Sequence, residues 1–357
     1  MKVLHLLSSG GVGGIEVLMK EYSLRTKTDS IFLFARKGGI IEEEMKNKGV
    51  TTIVLGEDRY KFNEIIERII AICKGEQIDV VVSHYPDPLI RLAAIKAKNK
   101  CQGIKMVFYA HSNANDMYLD CNQIKRAVKR SIQKKAIKMA DNVIAVSKSV
   151  KNSLIQDFKA KPESIQVVYN GIPLEQFAVK TEEFNTDLRL IYVGRLIEEK
   201  GVQNTLNGLR YCKTPYYFSV VGDGEYRKQL EALAEGMNVK FLGTRTDIPE
   251  LLASSDVFVH LPQWEEGFGI TVVEALAAGK ICICGEKGAL PEIITDGENG
   301  FMLKDPQELM GVLERIRNMN AEEISRMQKN ARVSAAKYSI NYFTDTMDEV
   351  LAMVTEA

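Results

Sequence analysis

No stretch of this chain approaches the roughly 18 consecutive apolar residues of a membrane-spanning helix, so it is not expected to cross a bilayer. An excess of one charge is also missing. Lys and Arg total 47, as do Asp and Glu, which leaves no whole-chain field favouring nucleic acid or an anionic surface. The six cysteines (Cys73, Cys101, Cys121, Cys212, Cys282, Cys284) include no Cys-x-x-Cys pair, and no histidine follows at zinc-ligand spacing. Cys282 and Cys284 lie in the apolar run Lys280 to Gly285 and read as buried core thiols. Reduced cysteines suit a cytoplasmic protein. There is no Asp-x-Asp metal motif, no sequence repeat at a solenoid period and no low-complexity tract. The N-terminal MKVLHLLSSGG is too short in its apolar part for a secretory signal and is expected to be a first buried strand.

What is present is an alternation of β-rich runs and helical patterns. The length, 357 residues, exceeds what one core usually spans, so two domains are expected. Strands are read at Val3–Leu7, Ile31–Phe34, Thr52–Leu55, Val80–Ser83, Met106–Ala110, Val143–Val146 and Ile165–Val168. A second set is read at Leu190–Val193, Tyr217–Val221, Val239–Leu242, Val257–Leu261, Ile281–Cys284 and Phe301–Leu303. Many are continuous apolar runs, as in parallel sheets covered on both faces by helices. The pattern predicts an α/β protein of two Rossmann-like, doubly wound domains, 1–178 and 179–340, facing a cleft. A terminal helix over 341–357 is expected to pack on either one.

The chemistry concentrates at strand ends. The first strand runs into Ser8-Ser9-Gly10-Gly11-Val12-Gly13-Gly14, a turn where backbone can approach a ligand. It does not complete Gly-x-Gly-x-x-Gly, and the next strand ends in Phe34-Ala35-Arg36 without a ribose-binding acid, which argues against a nicotinamide dinucleotide. Arg195 and Lys200 follow the strand Leu190–Val193 and can neutralise a diphosphate. Gly222-Asp223-Gly224 closes the next strand. Glu266 and Glu274 stand eight residues apart, flanking Gly267-Phe268-Gly269-Ile270, where a helix begins. One carboxylate on the loop and one in the helix can grip two hydroxyl-bearing groups, with free helix-start amides for a phosphate between them. His84 and His111 end strands of the first half. His5 and His260 sit inside apolar strands and read as satisfied core residues.

Taken in order, these pieces resemble the group 1 glycosyltransferases, glycosyltransferase family 4, which are retaining enzymes of the GT-B fold. The likeness extends through Gly13-Gly14, His111, Ala145-Val146-Ser147, Asn170-Gly171, Gly194-Arg195-Leu196 with Lys200-Gly201, Gly222-Asp223-Gly224, the Glu266 to Glu274 segment and Gly288-Ala289-Leu290-Pro291-Glu292-Ile293. The family normally has Gly-Gly where this chain has Gly288-Ala289.

The resemblance implies an N-terminal acceptor domain and a C-terminal donor domain. The donor diphosphate would be bound by Arg195 and Lys200, and Gly222 would join the donor site. Glu266 would contact the donor sugar, with the amides of Phe268, Gly269 and Ile270 nearby, and Glu274 would hold the ribose. Gly13 and Gly14 would allow closure over the pyrophosphate, and His111 would face the donor sugar. His84 and Tyr85 would lie on the acceptor side. His111, Glu266, Arg195 and Lys200 form the expected catalytic set.

Cations and amides at the leaving group need no metal, so no cofactor and no metal are expected. The implied activity transfers a hexose from a nucleotide sugar, UDP-linked on family frequency, to a glycan or lipid-linked acceptor in cell-surface polysaccharide synthesis. The leaving phosphate would accept the acceptor's proton on the same face, Glu266 would act as a positioner, and a covalent double displacement stays open. A nucleotide-sugar epimerase of the same architecture, an NAD-dependent oxidoreductase and a non-catalytic sugar-nucleotide-binding protein are the competing readings.

One segment bears on location. Lys125, Arg126, Lys129, Arg130, Lys134, Lys135 and Lys138 carry no acid among them, on a helical pattern with Ile124, Val128, Ile132, Ala136 and Met139. The apolar residues are expected to pack on the core beneath a cationic outer face. Such a face can hold anionic headgroups at about 1 kcal/mol per charge. A solvated basic helix is the alternative. The expected location is cytoplasmic, peripheral on the inner face of the cell membrane if this helix binds lipid. Tyr85, Tyr109 and Tyr118 can stack on sugars or fill core.

Overall fold

The computed structural model describes residues 1–56, 62–84, 87–113, 122–179, 182–185 and 187–356. The chain divides into an N-terminal unit, Met1–Gly171 with Ile340–Ala357, and a C-terminal unit, Ile172–Ser339.

The N-terminal unit runs β1 (Lys2–Ser9), α1 (Gly14–Ser23), β2 (Asp29–Lys37), α2 (Ile40–Asn47), β3 (Thr52–Val54), α3 (Phe62–Gly75), β4 (Val80–Ser83), α4 (Pro88–Lys100), β5 (Lys105–Ala110), α5 (Gln123–Met139), β6 (Asn142–Ala145), α6 (Lys148–Phe158) and β7 (Ile165–Val167). All strand pairs are parallel and the order is β3-β2-β1-β4-β5-β6-β7. The chain therefore reverses direction across the sheet between β1 and β4, where open α/β sheets place ligands at their carboxyl ends. Strand interiors such as Leu4, Leu6, Val81, Val107 and Ile144 are fully buried, as their continuous apolar sequence demands. Helix starts are chemically marked. Asp87 caps α4 ahead of Pro88, and Ser147 caps α6.

The C-terminal unit runs β8 (Leu188–Val193), α7 (Val202–Leu209), β9 (Tyr216–Val221), α8 (Arg227–Leu233), β10 (Val239–Gly243), α9 (Ile248–Ala253), β11 (Val257–His260), α10 (Ile270–Ala277), β12 (Ile281–Gly285), α11 (Leu290–Ile293), β13 (Gly300–Leu303), α12 (Leu309–Arg317) and α13 (Ala321–Ala335). Its parallel sheet has the order β10-β9-β8-β11-β12-β13, with the switch point between β8 and β11. Leu190, Tyr192, Val220, Val259 and Ile283 form its core with Leu206 and Leu313. All thirteen strands read from the sequence are present.

The division falls at Gly171 rather than Ala178. Ile172 pairs with Ser339, and a 3-10 turn over Leu174–Phe177 buries Phe177, which ties this stretch to the C-terminal unit. The last helix, α14 (Ile340–Glu356), belongs to the N-terminal unit. There Asp348 accepts hydrogen bonds from Tyr22 (2.6 Å) and Thr26 (2.7 Å).

Helix α5 departs from expectation. Gln133, Ala136 and Ile137 are its buried residues, whereas Ile124 and Val128 are 78% and 54% exposed. At about 100° per residue, Ile124 and Val128 point nearly opposite that buried patch. The apolar stripe is thus only half used. Its end seats the helix, while its beginning faces outward, on the same side of the helix as Lys134, Lys135 and Lys138 further along.

Candidate donor-binding and catalytic site

In the C-terminal unit, the expected residues gather at the carboxyl ends of β8, β9, β11 and β12. Glu266 lies on the loop between β11 and α10 and is buried. Its Oε2 accepts hydrogen bonds from Lys200 Nζ (2.8 Å), His260 Nε2 (3.0 Å) and Trp264 Nε1 (3.4 Å). Among the described residues nothing donates to Oε1. Burial alone would raise the carboxyl's pKa. The Lys200 charge and the hydrogen bonds from His260 and Lys200 outweigh it and hold Glu266 well below the usual range.

The site thus contains an ionised, tightly oriented carboxylate. Lys200 also lies over the Trp264 ring, 5.0 Å from its centroid. His260, expected to be a satisfied core residue, is instead part of this cluster, and Trp264 joins it unforeseen. The signal for both was positional. His260 is the last residue of the switch-point strand β11, and Trp264 stands two residues before Glu266.

Helix α10 begins at Ile270, with Gly269 as an N-cap of left-handed backbone (φ +100°) and no side-chain cap. The amides of Gly269 and Ile270 donate to no described backbone carbonyl, as at any open helix start. Glu274 stands one turn further in. Its carboxyl meets no hydrogen-bond donor among the described residues, and burial pushes its pKa up to about 8. The Arg195 side chain is exposed and makes no hydrogen bond or ion pair with a described residue. Gly222 (φ +129°) lies so close to Gly194 that a Cβ would strike the Gly194 carbonyl, which locks the β8 and β9 loops together. Among the described residues the site therefore combines an anchored carboxylate, a second carboxyl and a guanidinium without partners, and an open helix start.

Gly288 has φ +59°, and a Cβ there would strike the Glu266 backbone. Ala289 instead has an ordinary φ of −84° at the start of α11 and donates to the Glu266 carbonyl (2.8 Å). The departure from Gly-Gly at Gly288-Ala289 thus falls on the position that tolerates a side chain.

In the N-terminal unit, Gly13 in extended backbone precedes α1, which starts at Gly14. His111, just past β5, bonds through Nε2 to His84 Nδ1 (3.2 Å), and His84 Nε2 bonds to His5 Nδ1 (2.9 Å). His84 is fully buried between the other two and offers no surface to an acceptor. Tyr109 is core. Tyr85, Tyr118 and Cys121 lie outside the described residues. At the β1–β4 switch point, Asp87 receives Arg36 in a two-pronged pair (2.8 and 3.1 Å) and Ser8 Oγ (3.2 Å). That cluster was not read from the sequence.

Two units, each a parallel α/β sheet covered by helices, have the architecture of the GT-B fold. Sequence profiles agree. One described as Glycosyltransferase Family 4 matches residues 12–176, and one described as Glycosyl transferases group 1 matches residues 175–334. The chain belongs to the group 1 glycosyltransferases.

Among relatives, an uncharacterized glycosyltransferase of Methanocaldococcus jannaschii is 29% identical, over 57% of this chain and 56% of that protein. The N,N'-diacetylbacillosaminyl-diphospho-undecaprenol alpha-1,3-N-acetylgalactosaminyltransferase of Campylobacter jejuni is 26% identical, over 89% of this chain and 90% of that protein. The crystal structure of Anabaena HepE in complex with UDP-glucose is similar in fold, with a TM-score of 0.84, 22% identity, and coverage of 99% of this chain and 100% of that one.

Proposed function

We propose that this glycosyltransferase is a retaining, metal-independent hexosyltransferase that takes its sugar from a UDP-sugar and gives it to a glycan or lipid-linked acceptor of cell-surface polysaccharide. The observation that carries this reading is the Glu266 cluster, a buried carboxylate fixed by Lys200 and His260 with one oxygen free, next to the open start of α10. Glu274 holds the ribose hydroxyls. Arg195, Lys200 and the helix-start amides take the diphosphate. The C1–O bond to the phosphate breaks, and these groups stabilise the charge gathering on the leaving oxygen. The acceptor hydroxyl attacks C1 from the same face and passes its proton to that oxygen, which retains the anomeric configuration. Glu266 Oε1 orients the sugar through its hydroxyls. The UDP-glucose complex of HepE and the undecaprenol-linked acceptor in the Campylobacter protein's name support the choice of donor and acceptor class.

The test is calorimetric and thermal-shift titration of UDP, GDP, ADP and NAD in EDTA. UDP alone is expected to bind, raising stability by about 2.7 kcal/mol at a hundred times its dissociation constant. Glu274→Ala should abolish most of that shift. Stabilisation by NAD alone, or a strict need for a divalent metal, would overturn the reading.

The outward side of α5 supports peripheral attachment to an anionic membrane, since Ile124 and Val128 are exposed on the same side of the helix as Lys134, Lys135 and Lys138. The protein should co-sediment with vesicles rich in phosphatidylglycerol and not with phosphatidylcholine vesicles. Removing those three lysines should weaken binding roughly a hundredfold, at about 1 kcal/mol each. Equal binding to both vesicle types would refute attachment.

A further inference from the structure

The three histidines of the N-terminal unit form one hydrogen-bonded chain, His5 to His84 to His111, carried by β1 and the ends of β4 and β5. Their protons can be counted. Burial takes His5 down to about 3 and, with the nearby Arg91 charge, His111 to the same value. Burial also holds His84 well below its usual range, with its two imidazole neighbours and Arg91 adding to the effect. Arg91 is fixed there by hydrogen bonds to the Ser83 and Tyr109 carbonyls.

Neutral rings carry one N–H each. Two of the three protons occupy the two ring-to-ring hydrogen bonds. The third must sit at one end of the chain, on His5 Nε2 or on His111 Nδ1. Neither atom has a hydrogen-bond partner among the described residues. The two ends are not equivalent, however. His5 is sealed in the core, its ring stacked on Phe32 (4.7 Å between centroids) and edge-on to Tyr22 (5.4 Å), so an N–H at Nε2 would never meet an acceptor. A bare ring nitrogen is the less costly atom to leave there, because orphaned buried donors are rarer than under-satisfied acceptors. The His111 ring is partly exposed at the carboxyl end of the sheet, where ligands of open α/β sheets bind, although its Nδ1 is itself covered, so a ligand acceptor must displace what covers it to take the N–H.

We propose that His5 and His84 are positioning residues that fix the tautomer of His111. His5 Nδ1–H donates to His84 Nε2 and His84 Nδ1–H donates to His111 Nε2, so His111 presents Nδ1–H to a substrate oxygen. His5, two rings from any ligand, thereby decides whether His111 meets substrate as a donor or as an acceptor. The link to catalysis rests on the transferase reading of His111, whereas the tautomer itself does not.

The test is nitrogen NMR of the full chain labelled at histidine, whose four residues are assigned by single variants. It is recorded without substrate, and alongside it UDP release from UDP-glucose is measured. The wild-type His111 should show a protonated Nδ1 and a bare Nε2. His5→Phe removes the first donor and should convert the His111 signal to a mixture of tautomers. His5→Asn, whose amide nitrogen occupies the place of Nδ1, should restore the single form. Turnover should fall about three- to tenfold in His5→Phe, the scale of one neutral hydrogen bond, and recover in His5→Asn, with UDP affinity unchanged throughout. A wild-type His111 protonated at Nε2 overturns the proposal, as does a His111 spectrum unmoved by His5→Phe. If His5→Phe does not fold, the wild-type spectrum decides alone. If the wild type turns over no nucleotide sugar while the spectra behave as stated, the transferase reading fails and the relay stands.

Discussion

Lys200→Met is expected to lower turnover of the nucleotide sugar by two to three orders of magnitude while leaving UDP affinity within about tenfold. The asymmetry follows from what Lys200 does. Its ammonium bonds Glu266 Oε2 at 2.8 Å and is mostly screened from water, so its charge acts in a medium of low dielectric. It keeps Glu266 ionised, and under the proposed mechanism it faces an oxygen whose charge grows only as the C1–O bond breaks. In that mechanism ground-state UDP would still have Arg195, the helix-start amides and Glu274.

Lys200→Met also leaves Glu266 as a buried carboxylate with His260 and Trp264 alone. A cost near 3 kcal/mol is expected, at the low end for breaking a buried pair because two donors remain. A double-mutant cycle with Glu266→Gln separates the effects. The double variant should be more stable than the sum of the singles by about 1–3 kcal/mol, since the glutamine carries no charge to strand. UDP release from UDP-glucose without added acceptor reads the catalytic arm, and thermal unfolding reads the other. Unchanged turnover in Lys200→Met would remove Lys200 from the mechanism.

The difference between what sequence revealed and what it hid has a physical basis. The strands were legible because parallel strands buried on both faces must be apolar throughout, and Leu190–Val193 or Ile281–Cys284 can be little else. Arg195, Lys200, Glu266 and Glu274 were legible because charged residues at strand ends and helix starts have few structural reasons to be there. His260 and His5 were hidden for the opposite reason. A histidine inside an apolar strand has the same sequence signature whether it fills space or completes a polar cluster. Only the register that brings β11 beside the Glu266 loop, or β1 beside β4, distinguishes the two. Helix α5 shows a related limit. Its apolar spacing gave the period of the helix but not which side the core would cover, so Ile124 and Val128 were assigned to the buried side although they point away from it. The Arg36–Asp87 pair joins residues 51 positions apart, and only the β2-β1-β4 strand order makes them neighbours.

Gly288→Ala is expected to cost about 3 kcal/mol or more, which for a unit of this size lowers the melting temperature by about 6–12 °C. Two terms contribute. A side chain at φ +59° carries the left-handed penalty of about 1–2 kcal/mol. The new Cβ must also push away the backbone of Glu266, which cannot yield as a flexible side chain would. Movement there loosens the hydrogen bonds from Ala289 N to the Glu266 carbonyl (2.8 Å) and from Gly288 N to Glu265 Oε2 (2.6 Å). It also carries the Glu266 carboxylate away from Lys200 and His260, and a displacement near 1 Å at a positioning group costs about a hundredfold in rate. Ala289→Gly is the matched control. Ala289 has ordinary backbone angles and a small buried side chain, so this change should cost no more than about 1 kcal/mol and leave turnover within a few fold. Differential scanning calorimetry and UDP-release kinetics on the two variants decide the matter. If Gly288→Ala is no more harmful than Ala289→Gly, then the Gly288 turn does not hold Glu266 in place, and the preorganisation of the cluster must come from Lys200, His260 and Trp264 alone.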